Sequence, residues 1–168
     1  MATGMTRLMF ALFLIVAAVA QATLLPVVGP VAVLPNLVLV LVLVRTARRG
    51  MIDGLFWIVL SGLVLDTVAL DPLGTNGLAL LPVVLVGGVG QRRWFISGPA
   101  FPMLLAISAT FAYALALVGV RMVAGEGTAP LSTVMRTTTL QALLNAVLVP
   151  PLYGLVGLLA RVEPERAP

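Results

Sequence analysis

Polar residues in this chain come in short clusters, and the stretches between them are almost wholly apolar. The first apolar stretch runs from Leu8 to Leu25 behind a lead ending at Arg7. The second covers about Val31 to Val44, the third Met51 to Leu70, and the fourth Thr75 to Gly90 with Pro82 inside it. The fifth is Ala100 to Val123 and the sixth Leu131 to Ala160. A bilayer is crossed by ~20 apolar residues in a helix, so the pattern predicts six spanning helices joined by short loops. Pro35 is expected in the first turns of helix 2, where a missing N–H costs least. Gly50, Gly54, Ser61 and Gly62 give helix 3 the small surface on which helices approach closely. Helix 4 is short and rich in glycine, so it is expected to lie inside the bundle or to kink at Pro82. The sixth stretch is too long for one untilted span, and Pro150-Pro151 is expected to kink or end it. On its own the first stretch resembles a secretory signal peptide, with small residues at Ala18, Ala20 and Ala22. Removing it would leave an odd number of spans, so it is read as helix 1.

Composition turns this pattern into a class. The 168 residues are 61% hydrophobic and 10% charged, with a mean hydropathy of +1.15. No soluble domain of this length could bury so much apolar surface, and the expected fold is an all-α polytopic membrane protein forming one domain over residues 1–168. Charge then sets its orientation. Arg7, Arg45, Arg48, Arg49, Arg92, Arg93, Arg161 and Arg166 fall on one side of the predicted membrane, and Arg121 and Arg136 on the other. The positive-inside rule therefore places both termini in the cytoplasm. An isoelectric point near 11.1 would suggest nucleic acid in a soluble protein, but here the arginines sit in loops where topology needs them, so no nucleic-acid partner is expected.

Candidate chemistry is sparse. With neither histidine nor cysteine there is no Ser-His-Asp triad, no histidine metal site and no redox pair. Asp66 and Asp71 are poorly spaced to share a proton, and the glycines from Val86 to Gly90 lack the GK[ST] ending of a phosphate loop. No catalytic, cofactor-binding or metal-binding residue is expected. Attention falls instead on polar groups inside the helices: Asn36, Ser61, Asp66, Thr67, Ser108, Arg136, Gln141 and Asn145. An ionisable group at a helix centre costs roughly 2.5–3.5 kcal/mol in a bilayer, so Asp66 marks a functional or structural hot point. Either it pairs with Arg136, which enters helix 6 from the same side, or it caps nearby backbone groups or is protonated. Gln141 and Asn145 share one face of helix 6. They serve either interhelical hydrogen bonding or a small-molecule site in the outer half of the bundle.

Four short motifs carry a family resemblance: Pro35-Asn36-Leu37, Arg48-Arg49-Gly50, Gly62-Leu63-Val64-Leu65-Asp66 and Pro72-Leu73-Gly74. They resemble the rod shape-determining protein MreD, in a match that covers Pro35 to about Gly88, roughly a third of the chain. Asn36 stands where the family commonly has aspartate, and Thr75-Asn76-Gly77 departs from its pattern. The resemblance implies a non-enzymatic inner-membrane scaffold of the bacterial elongation machinery. Its implied partner is MreC, a single-pass membrane protein, with links to RodA and a class B penicillin-binding protein. With Gly54 from the small-residue surface of helix 3 and Arg136 from its possible pairing with Asp66, the expected structural or partner-binding positions are Pro35, Asn36, Gly54, Gly62, Asp66, Pro72, Gly74 and Arg136. The family is similar in fold to substrate-capture subunits of energy-coupling-factor vitamin transporters, which supplies the alternative function.

Overall fold

A computed structural model describes residues 2–23, 34–91, 100–127 and 129–161. The expected turn at Pro26 and Pro30, the predicted start of helix 2 at Val31, the loop Arg92-Arg93-Trp94 and the polar tail after Arg161 lie outside them. The described residues form six α-helices: α1 Ala2–Thr23, α2 Leu37–Arg49, α3 Met51–Ala69, α4 Thr75–Gly90, α5 Ala100–Val123 and α6 Leu131–Arg161.

Five helices form a ring around the sixth. α1 packs on α3, α3 on α4, α4 on α5, α5 on α6, and α6 closes back on α1, while α2 touches all five. The reason is in the sequence of α2. Its Val-Leu repeat is apolar on every side, and a helix hydrophobic all round is stable in water-free surroundings of protein on every face. Every residue from Val38 to Ala47 is buried.

Expectation and structure differ at both ends of α2. The helix begins at Leu37, where the Asn36 side chain accepts a hydrogen bond from the Leu39 N–H at 2.9 Å and acts as N-cap. Pro35 therefore stands before the helix and not in its first turns. At the other end the helix continues through the arginines expected in a loop. It stops at Gly50, whose φ of +96° is strained for any residue with a Cβ. Gly50 also opens α3, so one glycine makes the whole turn.

The interior helix is thus α2 and not α4. Leu78, Leu81, Leu85 and Val89 of α4 are exposed, which makes it a ring member, and Pro82 is accommodated within it. Likewise α6 runs unbroken through Pro150-Pro151 for 31 residues, about 46 Å at 1.5 Å per residue. Small residues close the packing. A Cβ on Gly62 would lie 2.5 Å from the Gly77 Cα, so α3 and α4 meet backbone to backbone there. A Cβ on Gly54 would lie 2.2 Å from the Thr46 Oγ1 of α2.

The ring's outward faces are apolar. Leu8, Leu12 and Val16 of α1 are exposed, as are Phe56, Val59 and Leu63 of α3, and Leu143 and Val147 of α6. A water-soluble monomer rarely shows such continuous apolar surface. Met51–Ala69 and Ala100–Val123 are long and apolar enough to cross a membrane.

Candidate functional site

The polar residues buried in this fold gather in two places: around the corner between α3 and α4, and beside the turn between α2 and α3. At the corner, α3 ends with Leu70 in the left-handed region (φ 56°), and the Asp71 N–H returns to the Asp66 carbonyl at 3.0 Å. Gly74, at φ +97°, then aims the chain back into α4. This path brings the first N–H groups of α4 over the Asp66 carboxylate. One of its oxygens accepts from the Gly74 N–H at 2.6 Å; the other accepts from the Asn76 backbone N–H at 2.9 Å and from the Asn76 amide at 2.8 Å. A helix N-terminus carries free N–H donors and about half a positive charge, so it can hold a carboxylate without a cation. Asp66 is only 1% exposed. Of the readings open for it, capping of backbone groups is the one the geometry realises.

From Asp66 the hydrogen bonds continue through Asn76. Its amide also donates to the Asp71 carboxylate at 3.1 Å, and its carbonyl oxygen accepts from the Tyr113 hydroxyl of α5 at 2.7 Å. Asp71 in turn receives Arg121 at 3.3 Å. Arg121 Nε lies 3.7 Å from Glu126 and has no hydrogen-bond acceptor.

A second branch ties α2 to α5 and α6. The Asn36 N–H donates to the Asn145 side-chain oxygen at 2.8 Å, and the Asn145 amide donates to the Thr110 hydroxyl at 3.0 Å. Gln141 donates to the Leu34 carbonyl at 2.9 Å. Asn36 lies about 20 Å along α2 from Arg49, and Asp66 about 22 Å along α3 from Met51, so the linked groups form a polar belt at one level.

At the opposite end, Arg45 is buried beneath α1 and α3. Its Nε donates to Asp53 at 2.7 Å, and the Trp57 indole N–H donates to the same oxygen at 3.0 Å. The guanidinium carbon sits 4.6 Å from the Phe10 ring centroid and 5.4 Å from that of Trp57, and the two rings meet edge to face. Ion pairing and cation–π contact together compensate the desolvation of the arginine.

Of the residues singled out in the sequence, Asn36, Asp66 and Gly74 are in the belt, and Pro72 lies at the corner, its carbonyl accepting from the Thr75 N–H at 3.1 Å. Asn145 bonds the Thr110 hydroxyl of α5 and the N–H of Asn36, the N-cap of α2, while Gln141 bonds the Leu34 carbonyl in the segment ahead of α2. Gly54 and Gly62 are buried in the chain's own packing, against Thr46 and Gly77. Arg136 is a correction: it is exposed on α6, nine residues and about 14 Å from Asn145, and makes no bond to Asp66. Arg121 is the arginine that reaches the corner, through Asp71. Sequence reasoning missed Asn76, Tyr113, Thr110 and the Arg45–Asp53–Trp57 group. Two signals were available: Tyr113 is the polar-ended aromatic in an apolar helix, and Asp53 is the one acid among the first 65 residues.

Comparison with known protein families matches residues 1–159 to the rod shape-determining protein MreD. The chain belongs to the MreD family. No curated protein and no solved structure matches it. The match extends well beyond the third of the chain on which the resemblance rests, and takes in α1, α5 and nearly all of α6. Membership places the protein in rod shape determination, with a family character that is structural. In this MreD-family chain the Gly-Leu-Val-Leu-Asp and Pro-Leu-Gly motifs have a joint physical meaning. The first supplies the carboxylate and the second supplies the turn that delivers two N–H groups to it.

Proposed function

We propose that the chain is a multi-pass, non-enzymatic scaffold of the bacterial inner membrane, with both termini cytoplasmic, that supports peptidoglycan synthesis during elongation. Its partner in this reading is an MreC-like single-pass membrane protein, and through it RodA and a class B penicillin-binding protein. The observation that carries the proposal is the division of labour in the fold. Most of its buried polar side chains are bonded within the protein, while the ring turns largely apolar faces outward. A scaffold that meets its partners within the bilayer needs rigid helices and an apolar exterior, not free polar groups. Contact of that kind rests on helix packing, because lipid removes the hydrophobic incentive.

The vitamin-capture alternative needs polar groups free to meet a ligand. Asn36, Asn76, Tyr113, Gln141 and Asn145 each already have a protein partner, which favours the scaffold.

Two experiments test the reading. Cysteine labelling at Gly4, Gly50, Gln91 and Glu163 should report cytoplasm at every position, and labelling of any from outside intact cells refutes the topology. Replacing Phe56 and Leu63, exposed on α3, with alanine should weaken co-purification of the MreC-like protein without loss of insertion. Purification with a bound vitamin, or with an ATP-driven coupling subunit, would transfer the assignment to the capture subunit. Gly54 and Gly62 are unsuited to this test, since enlarging either disturbs the chain's own core.

A further inference from the structure

On α6 the exterior of the bundle departs from its apolar rule. Ser132, Arg136, Thr139, Leu143 and Val147 are all exposed, and at about 3.6 residues per turn they fall on one face of the helix. The opposite face, with Thr138, Ala142, Asn145 and Val149, is buried in the bundle. The polar part of the exposed face is the part that leaves the hydrocarbon. Asn145 is bonded to Asn36 and lies at its level, about 20 Å along α2 from the α2–α3 turn. Arg136 stands about 14 Å beyond that level, just outside a hydrocarbon layer ~30 Å thick, whereas Leu143 and Val147 lie within it. Arg136 also has no task in the fold. Among the described residues it makes no hydrogen bond, ion pair or ring contact, while Arg121 at the same end is engaged by Asp71.

We propose that this face of α6 docks a membrane-spanning helix of another protein, one that carries a glutamate or aspartate opposite Arg136, where it leaves the bilayer. Charge complementarity names the acid, and Leu143 and Val147 name the apolar stretch below it. A second copy of this chain does not fit. Two α6 faces paired about a two-fold axis along the membrane normal would set Arg136 against Arg136. A phospholipid phosphate would meet the charge but leave Ser132 and the exposed Leu131 uncovered further out, whereas a helix runs the length of the face. An ion pair at this exposed level adds little affinity; its larger effect is to fix the depth and direction of the docked helix. The inference rests on the membrane-spanning placement proposed above and on no named partner, and it leaves the α3 face to the MreC-like protein.

The test places the full chain in phosphatidylcholine vesicles with a synthetic spanning helix of leucine and alanine, bearing one glutamate just outside its apolar stretch. The chain has no cysteine of its own, so Leu143→Cys gives a single reporter. A cysteine in the probe, seven residues from its glutamate, matches the spacing of Arg136 and Leu143. Disulfide capture at position 143 should be about threefold greater with the glutamate probe than with its glutamine counterpart. Capture through Leu104→Cys, exposed on α5, should stay at background with both. Arg136→Gln should erase the preference, Arg136→Glu should transfer it to a lysine probe, and Arg121→Gln should leave it unchanged. Equal capture of the glutamate and glutamine probes, or a preference that survives Arg136→Gln, overturns the proposal. Loss of the preference when phosphatidylglycerol is added also overturns it, since Arg136 would then be a ligand for lipid headgroups. The probe inserts in both directions, so the result does not depend on which side of the cell α6 begins. External labelling of Gly4 in intact cells would refute the orientation proposed above and leave the pairing standing.

Discussion

The α3–α4 corner and the α2–α3 turn each bury a charged side chain, and they neutralise it by opposite means. At the turn, Arg45 meets a full countercharge on Asp53 and the faces of Phe10 and Trp57. At the corner, Asp66 is held by N–H groups of the Gly74 and Asn76 backbone and by one amide, with no cation in contact. The first arrangement is side chain to side chain, so it can be replaced as a unit. The second depends largely on backbone N–H groups, which no side-chain replacement short of proline removes.

The strongest expected effect follows from that asymmetry. Asp66→Ala leaves two backbone donors and the Asn76 amide without their acceptor. At about 1–3 kcal/mol for each buried group left unsatisfied, the loss should be about 3 kcal/mol or more. Thermal unfolding in micelles measures it, and a variant as stable as the parent would show that the carboxylate is dispensable. No second-site apolar change should recover the loss.

The turn should behave otherwise. Asp53→Leu alone strands Arg45, at about 3 kcal/mol for breaking a buried pair, whereas Arg45→Met combined with Asp53→Leu should recover most of that loss. The same unfolding measurement decides it, and a double variant no better than the single one would erase the proposed contrast.

Smaller effects sharpen the picture. Gly62→Ala drives a methyl into the Gly77 backbone and should cost about 1–3 kcal/mol by overpacking, while Gly119→Ala meets open space in a helix and should gain up to about 1 kcal/mol. Equal outcomes at the two glycines would mean that α3 and α4 do not touch there. At the bottom of the scale, Arg121→Gln should lower stability by less than about 1 kcal/mol, because its side chain is 39% exposed and solvent screens the pair with Asp71. Arg136→Gln should cause no measurable change in the melting temperature.

The sequence made some of this legible and hid the rest for physical reasons. α4 and α5 begin and end where polar residues and glycines interrupt the apolar runs, and Asp66 announces itself because charge is costly inside an apolar stretch. The limits of α2 were harder. Its Val-Leu run is apolar on every face, so nothing in its periodicity marks where the helix begins. The decisive residue, Asn36, works through its cap geometry. Arginines after such a run read as a loop, and only the Asp53 and aromatic contacts supplied by α1 and α3 keep Arg45 inside the protein. Asn76 escaped notice because Thr75-Asn76-Gly77 departs from the family pattern, whereas its role comes from the turn that carries it over Asp66. Arg136 shows the converse. Two charges entering from one side need not meet when one already has a helix terminus to satisfy it.

The central position of α2 also bears on how the protein is made. Translation delivers α2 second among the helices, yet α6, which closes its wall and binds Asn36 and Leu34 through Asn145 and Gln141, is delivered last. Until the ribosome has passed Val149, the Asn36 backbone N–H and the Leu34 carbonyl lack these partners, and the side of α2 that α6 will cover stays uncovered. Completion of the bundle is therefore a late event in biogenesis. A chain truncated before α6 would present cellular proteases with an open ring, whatever the state of its first five helices.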